Sequence, residues 1–472
     1  MNDLVSVLDV GKTLAKLSLW TPGGEMVAKA TRPNLRTEAD GVVSLDSAGI
    51  EGWIAETLAA FAGRGRVAAI IPVGHGAAAA IVRDGRLALP PADYEDAIPH
   101  EVRAEYDRLR DPFADTGSPA LPDGLNLGAQ LYYLTKKHSD LLSGDAQILP
   151  WPQYWAWRLS GVARSELTSL ACHTDLWRPL EARPSEMART LGWADRLAPL
   201  ARAGEAIGTI TPEWAARTGL PTDVQIYCGI HDSNAALLAA RGFPEIADND
   251  STVLSTGTWF VAMRSPGPGA KLDLSRMSEA RDCLINVDAY GALIPSARFM
   301  GGREIEILSG VDTRRVDIKP DQPLLVDATP GLVAAGTRVL PTFAPGFGPY
   351  PDQRGRWIDM PTDSVARRAA VCLYVALVAD VSLDLVGATG PILIEGRFAE
   401  AEVIVRALAA LRPRDTVYVS NAHTDVSYGA LRLIHPGLKP SGALVRVEPL
   451  ATDLGAYREQ WRHDVERAEM MN

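Results

Sequence analysis

The chain has 472 residues, 47% of them apolar and 22% charged, and a net charge of −11. That length is too great for one ordinary core and leads us to expect two globular domains of about 200 to 250 residues each. The acidic balance, with no basic run, argues against a nucleic-acid partner, because a phosphate backbone needs a positive stripe to bind.

In chain order, Val5–Asp9, Ala15–Trp20 and Glu25–Thr31 read as three strands, joined by Gly11-Lys12-Thr13 and by Pro22-Gly23-Gly24. Apolar residues at helical spacing over Ile50–Ala62 predict a helix, and Val67–Pro72 a short buried strand. The stretch Pro90–Pro122, rich in proline and polar residues, reads as a loop or lid insertion. The helical pattern returns over Leu127–Leu142 and again over Leu149–Leu159, where Trp151, Trp155 and Leu159 fall four apart on one face. A core stripe is the favoured reading of those tryptophans over an aromatic platform for a sugar. Ser165–Asp175 is small and polar and reads as a loop. Val224–Gly229 reads as a strand running into Gly229-Ile230-His231-Asp232, and a helix follows over Ala235–Arg241. Asp232 then stands at a strand end just before a helix, where it serves either as a helix cap or in a ligand crevice.

Gly242–Asp250 reads as the domain boundary. Beyond it come Val253–Thr258 with a Gly257-centred turn, a return strand from Trp259, a strand at Cys283–Asp288 and the stretch Arg298–Glu304. Phe343–Trp357 reads as an ordered loop, and Asp363–Leu385 is the longest helical pattern. Strand Ile392–Ile394, the turn Glu395-Gly396-Arg397, helix Ala399–Leu411 and strand Thr416–Ser420 follow. The turn could approach a nucleotide, although its spacing is neither a Walker loop nor a dinucleotide fingerprint. The expected partition is 1–245, 246–445 and a helical tail, 446–472. The chain shows no leader pattern at Met1 and no apolar run of ~18 residues. Its four cysteines have neither metal-ligand nor disulfide spacing. We therefore expect a cytoplasmic protein without a membrane partner.

Two stretches have the same shape: Val7–Lys12 around Gly11, and Val253–Thr258 around Gly257. Each is a buried strand end, a glycine turn flanked by small or hydroxyl residues, and a return strand. Such a turn aims several backbone N–H groups outward together and suits phosphate oxygens. Two copies suggest a duplicated domain with phosphates held in a cleft between the halves, and hence phosphoryl transfer on an actin-like scaffold. In that chemistry Asp9 is a candidate Mg²⁺ ligand. Gly11, Lys12 and Thr13 would meet the phosphates on one side, and Ser255, Thr256, Gly257 and Thr258 on the other. Asp232 is the candidate base.

The set Asp9-x-Gly11-x-Thr13, Gly229-x-His231-Asp232 and Ser255-x-Gly257-Thr258-Trp259 resembles the FGGY family of carbohydrate kinases, most of all its rhamnulokinase and fuculokinase branch. The resemblance runs from residue 5 to about 435. It implies an α/β chain of two ribonuclease-H-like (actin-like ATPase) domains with an interdomain cleft that closes on its substrates. It implies ATP and Mg²⁺, held by Asp9 and Asp232, and Asp232 as general base toward a sugar hydroxyl. The implied sugar contacts are His75, Gly76, Gln153, Tyr154, His173 and His231; Gln153 and Ala78 stand where relatives carry carboxylates. Gly302, Glu395, Gly396 and Arg397 fall on the nucleotide side, with Glu395-Gly396-Arg397 in place of a glycine run. The implied substrate is a 6-deoxy-ketohexose such as L-rhamnulose or L-fuculose, or a pentulose. The alternatives are a tetrulose or polyol kinase, or a non-catalytic nucleotide-binding sugar sensor. A homodimer is one possible assembly.

Overall fold

The computed structural model describes residues 3–313, 315–421 and 425–470, leaving aside the side chain of Ala39. These residues fall into two compact units. The first comprises 3–242, Ile285–Leu293 and 425–439; the second comprises Phe243–Leu284, 294–421 and 440–470.

In the first unit the strand Leu4–Val10 sits mid-sheet. The order is Ala206–Thr209, Gln225–Tyr227, Val67–Gly74, Leu4–Val10, Leu14–Trp20, Met26–Pro33, and Ile230–His231 also pairs with Val67–Gly74. Side chains on a strand alternate between faces, so a strand covered on both sides is apolar throughout. Leu4–Val10 follows that rule except at Ser6 and Asp9: Leu4, Leu8 and Val10 enter one core with Trp151, Trp155 and Trp214. Val5 and Val7 enter another with Ala235, Leu238, Tyr428 and Leu431. Asp9 continues the odd series, on the face that carries the helices Asp232–Ala240 and Val426–Ile434. Those two helices pack without a side chain between them, since a Cβ on Gly429 would lie 1.7 Å from the Ala235 carbonyl oxygen.

The second unit repeats the plan. Leu293–Phe299, Phe260–Ser265, Ser251–Thr256, Pro391–Gly396, Thr416–Ser420 and Leu444–Arg446 follow one another across its sheet. In both units an antiparallel hairpin is flanked by a strand parallel to its first arm: Leu4–Val10 beside Val67–Gly74, and Ser251–Thr256 beside Pro391–Gly396. The long helix Ser364–Leu385 starts where Asp363 accepts the Ala366 N–H at 2.7 Å, and it is buried over most of its circumference. The C-terminal helix Gly455–Glu469 is seated by Trp461, whose Nε1–H donates to the Val339 carbonyl at 2.8 Å.

Two segments differ from the sequence reading. Pro90–Pro122 is not one loop; it holds the helices His100–Asp107 and Phe113–Thr116. Ser165–Asp175 is packed, with a short helix at Leu167–Leu170 and with Ser165, Glu166, Thr168, Ser169, Thr174 and Asp175 all buried. Glu166 accepts from Thr168 and Ser169 within the run, while Asp175 is held by Tyr106 and Arg110 from outside it, and such pairing is how a small, polar run becomes interior. Trp151 and Trp155 are core residues, as favoured. All four cysteines are buried and outside any disulfide, and no helix among the described residues is long and apolar enough to cross a membrane.

Candidate functional site

In the first unit three chain segments end at the same level, because of strand register. Val10 and His231 both pair with Gly74, one from each side of the strand Val67–Gly74. Parallel strand ends are where α/β sheets present their ligand groups. Gly229 makes the approach possible: its φ is +87°, and a Cβ there would lie 2.4 Å from the Pro72 carbonyl oxygen. The backbone therefore steps past Pro72, and Asp232 emerges as the first residue of the helix Asp232–Ala240.

Asp232 is not that helix's cap; the cap position is His231, which makes no side-chain capping bond. Asp232 Oδ1 accepts the Ser233 N–H at 2.6 Å and lies 3.2 Å from His231 Nε2. Oδ2 has no protein partner among the described residues, and the side chain is 31% exposed. Burial pushes the carboxyl up to about 6, against the Ser233 N–H. His231 is held down at about 4 by burial and is therefore neutral near pH 7. The His231 backbone N–H donates to Thr168 Oγ1 at 3.1 Å, and that hydroxyl donates to Glu166 Oε2 at 2.5 Å. Burial raises Glu166 to about 7, opposed by Thr168. Neither Glu166 nor Thr168 was found in the sequence; the available signal was an acidic residue followed two and three positions on by Thr168 and Ser169, the spacing at which it caps a short helix.

At the first turn the Gly11 N–H donates to the Leu14 carbonyl at 3.0 Å, and the Gly11 carbonyl accepts from Asn34 Nδ2 at 2.8 Å. Thr13 is exposed. Burial pushes Asp9 up to about 6, against the pull of Lys16 and with a push from Asp232. Lys16 Nζ lies 3.3 Å from Asp9 and donates to Asp425 at 2.8 Å. Among the described residues no three His, Cys, Asp or Glu side chains gather as a metal cage. A partly buried carboxylate beside a phosphate-type turn, here shared with Lys16, nevertheless fits Mg²⁺, which keeps waters and phosphate oxygens as most of its ligands.

His75 follows Gly74 directly. It is 8% exposed, and neither ring nitrogen has a partner. Burial, with Lys12 and His231 nearby, lowers it to about 3. A buried neutral imidazole with both nitrogens unpaired costs stability unless a ligand supplies the missing bonds. Gly76 is fitted closely, since a Cβ there would meet Cys172 Sγ at 2.9 Å and His231 Nε2 at 3.0 Å. His173 has a φ of +39°, and its Nδ1 lies 2.8 Å from the Leu125 carbonyl.

Three expected contacts are taken up by the fold. Gln153 is fully buried and gives its amide to the Cys228 and Gly229 carbonyls at 3.3 and 3.2 Å, bracing the Gly229 step. Tyr154 is a core residue stacked on Trp151 at 5.5 Å, and burial raises its phenol. Lys12 turns away from open solvent to pair with Asp93, a residue that sequence reading did not single out.

In the second unit the Gly257 N–H donates to the Trp259 carbonyl at 2.9 Å, while Thr258 is exposed and Ser255 half-buried. Thr256 Oγ1 donates to the Glu395 carbonyl at 2.6 Å and accepts the Phe398 N–H at 3.0 Å. That hydroxyl clamps the turn after the strand Pro391–Gly396. Gly396 has a φ of +85°, and a Cβ there would lie 2.2 Å from the Thr256 carbonyl. A Cβ on Gly302 would lie 2.1 Å from the Gly257 carbonyl, so the helix Gly301–Ser309 begins directly on the turn. Burial pushes the Glu395 carboxyl up to about 7. Arg397 Nη2 donates to the Val316 carbonyl at 3.2 Å.

The model for the C-terminal domain of FGGY carbohydrate kinases matches residues 248–441. A solved carbohydrate kinase from Novosphingobium aromaticivorans is 57% identical over 99% of both chains, with a TM-score of 0.95. The chain belongs to the FGGY carbohydrate kinases. Its fold is that of two actin-like ATPase domains. Among curated relatives, the L-fuculokinase of Escherichia coli (strain K12) is 29% identical over 166 residues, 35% of this chain and 33% of that protein. The rhamnulokinase of Halalkalibacterium halodurans is 30% identical over 132 residues, 28% of this chain and 27% of that one. The matches thus span about a third or less of those FGGY relatives' lengths.

Proposed function

We propose that this FGGY kinase transfers the γ-phosphoryl group of ATP to a hydroxyl of a small neutral ketose, with Asp232 as general base. The observation that carries the reading is the division of labour at that carboxylate. Oδ1 is held by Ser233 and faces His231, while Oδ2 is unpaired and reaches solvent. A base at about 6 is mostly ionised at pH 7 and still basic enough to take a hydroxyl proton as the phosphoryl moves.

His231 orients it. Asn234 Nδ2 lies 3.4 Å from His231 Nδ1 and is the donor there, which leaves the ring proton on Nε2, facing Asp232 Oδ1. Asp9 would hold Mg²⁺, with water and phosphate completing its shell. When bound, Mg²⁺ supplies charge neutralisation on the phosphate oxygens. Asp9 then orients that ion; in each unit by itself the N–H groups just past the glycine, at Lys12 and Thr13 and at Thr258, are the candidate donors to phosphate, since the Gly11 and Gly257 N–H groups are taken by Leu14 and Trp259.

Charge balance supports a neutral acceptor. Lys12 and Arg36 both pair with Asp93, Lys16 pairs with Asp9 and Asp425, and His75 and His231 are neutral. A sugar acid would find no uncompensated cation in this set. His75, with one donor and one acceptor nitrogen free, is suited to read a hydroxyl. The fuculokinase and rhamnulokinase matches favour a 6-deoxy-ketohexose, with pentuloses next.

The test is coupled ADP release with Mg²⁺-ATP on L-rhamnulose, L-fuculose, the pentuloses, L-erythrulose, glycerol and erythritol. Turnover of a ketose, lost in Asp232→Asn, is the expected result. Silence across the panel by a protein that still binds nucleotide would discard these acceptors, in favour of a sugar outside the panel or of a sensor.

A further inference from the structure

The first phosphate-type turn contains a lysine that does not behave as a phosphate ligand. Lys12 Nζ pairs with Asp93 Oδ1, lies 3.8 Å from Glu95 and sits 4.5 Å over the centroid of the Tyr94 ring. Its side chain is only 13% exposed. Asp93 is 1% exposed and is fixed in turn by Arg36 Nε at 2.9 Å and by the Glu95 N–H at 2.9 Å. Moving Lys12 to a phosphate would strip a buried carboxylate of one of its cations, a costly exchange in a low-dielectric setting.

The backbone around Tyr94 is clamped as well. Asp93 N–H donates to the Val43 carbonyl at 2.9 Å, Gly124 N–H to the Tyr94 carbonyl at 3.0 Å, and Val43 N–H to Asp96 Oδ2 at 3.0 Å. The ring therefore has little choice of place. Lys12 covers its face, and His75 meets its edge at 5.6 Å with the planes 74° apart. Burial raises the phenol's pKa, and Asp93 and Asp232 raise it further, so the hydroxyl stays protonated within the field of the candidate base. Tyr94 thus stands between the turn and the unpaired His75.

We propose that Lys12 is a positioning residue of the acceptor site, acting through Tyr94, and that it holds no phosphate of the nucleotide. The inference rests on the kinase reading above. Lys12 fixes the ring by a cation–π contact and an ion pair, and the ring fixes the wall against which the acceptor lies beside His75. Lys12→Met leaves the turn's backbone donors in place and frees the ring; Lys12→Arg keeps a cation over it.

Two measurements decide the matter. Calorimetric titration with a non-hydrolysable ATP analogue and Mg²⁺ should give Lys12→Met the wild-type affinity within about twofold; a loss of about tenfold or more would make Lys12 a phosphate ligand and overturn the proposal. In the coupled assay, Lys12→Met should raise the acceptor KM about tenfold or more with the ATP KM unmoved, Lys12→Arg should restore most of it, and Lys12→Met should add nothing in a Tyr94→Ala background. Additive effects of the two substitutions would refute action through Tyr94. If the wild-type protein phosphorylates no acceptor, the kinase reading falls, and the titration alone still decides whether Lys12 serves the nucleotide.

Discussion

His231 Nε2 lies 3.2 Å from Asp232 Oδ1, and both groups sit far from their ordinary protonation behaviour, the imidazole at about 4 and the carboxyl at about 6. Both shifts come chiefly from burial, which disfavours charge on either group. Near neutral pH the pair is therefore a neutral donor beside an ionised acceptor. Turnover should fall about tenfold per pH unit below about 6, as Asp232 takes up a proton and ceases to be a base. A kcat/KM profile that stays flat down to pH 5 would remove Asp232 from that role.

The same shift predicts a gain in stability from the inactivating substitution. Asp232 is raised in the folded protein above its unfolded value of 3.8, so the folded state binds the proton more tightly. Its contribution to stability is then lost as pH rises from about 4 to about 6, and remains unfavourable above that. Asp232→Asn should lower kcat by about 10²- to 10⁴-fold. It should also stabilise the protein at pH 7 by about 1 kcal/mol, the shift being discounted for the carboxyl's partial exposure. Thermal melts at pH 4 and pH 7 check the sign, since the difference between variant and wild type should shrink at the lower pH.

His75→Phe fills the same space with a ring that needs no hydrogen bonds. Because both imidazole nitrogens are buried and unpaired, the melting temperature should hold or rise, while the acceptor KM rises about tenfold or more. A destabilised variant with an unchanged KM would show His75 to be a structural residue.

Gly302→Ala puts a methyl group 2.1 Å from the Gly257 carbonyl oxygen, a backbone atom that cannot swing aside. The start of the helix Gly301–Ser309 must move off the turn, at a cost of about 1–3 kcal/mol. Melts should show the loss in stability. Nucleotide titration should show weaker binding, since this turn carries the second set of candidate phosphate donors.

Chelation should separate the metal's part in turnover from any part in folding. With no three-carboxylate cage among the described residues, EDTA should abolish ADP release and leave the melting temperature of the ligand-free protein unchanged. A fall in melting temperature would reveal a structural metal.

What could be read from the chain follows from the range of the interactions involved. The Gly11 and Gly257 turns, the strand periodicity of Leu4–Val10 and the burial pattern of Ser364–Leu385 are local, and each leaves its mark within a few residues. Asp232 was legible because a strand end and a helix start stand next to each other. Asp93 and Tyr94 were not, since their meeting with Lys12 spans about eighty positions and nothing near Pro91 announces it. Tyr154 and Gln153 were misjudged for a related reason. Their helix was placed correctly, but which of its sides faces the Gly229 step depends on packing against Gly74, where a Cβ would touch Trp151 at 3.0 Å and Pro152 at 3.3 Å. Ser165–Asp175 was misread because polarity was taken for exposure, when Glu166 and Thr168 bond inward.

The helix Val426–Ile434 covers Asp232–Ala240 in the first unit, although 185 residues, most of them in the second unit, separate the two along the chain. A ribosome making this protein releases Asp9, His75 and Asp232 early, but the surface that packs behind Asp232 is among the last parts synthesised. The candidate base therefore has no finished support while most of the polypeptide is being made. A gene cut near codon 242 would yield a first half with the apolar side of Asp232–Ala240 bare, prone to self-association. Co-expressed fragments should regain a soluble first unit only when the piece bearing Val426–Ile434 is supplied.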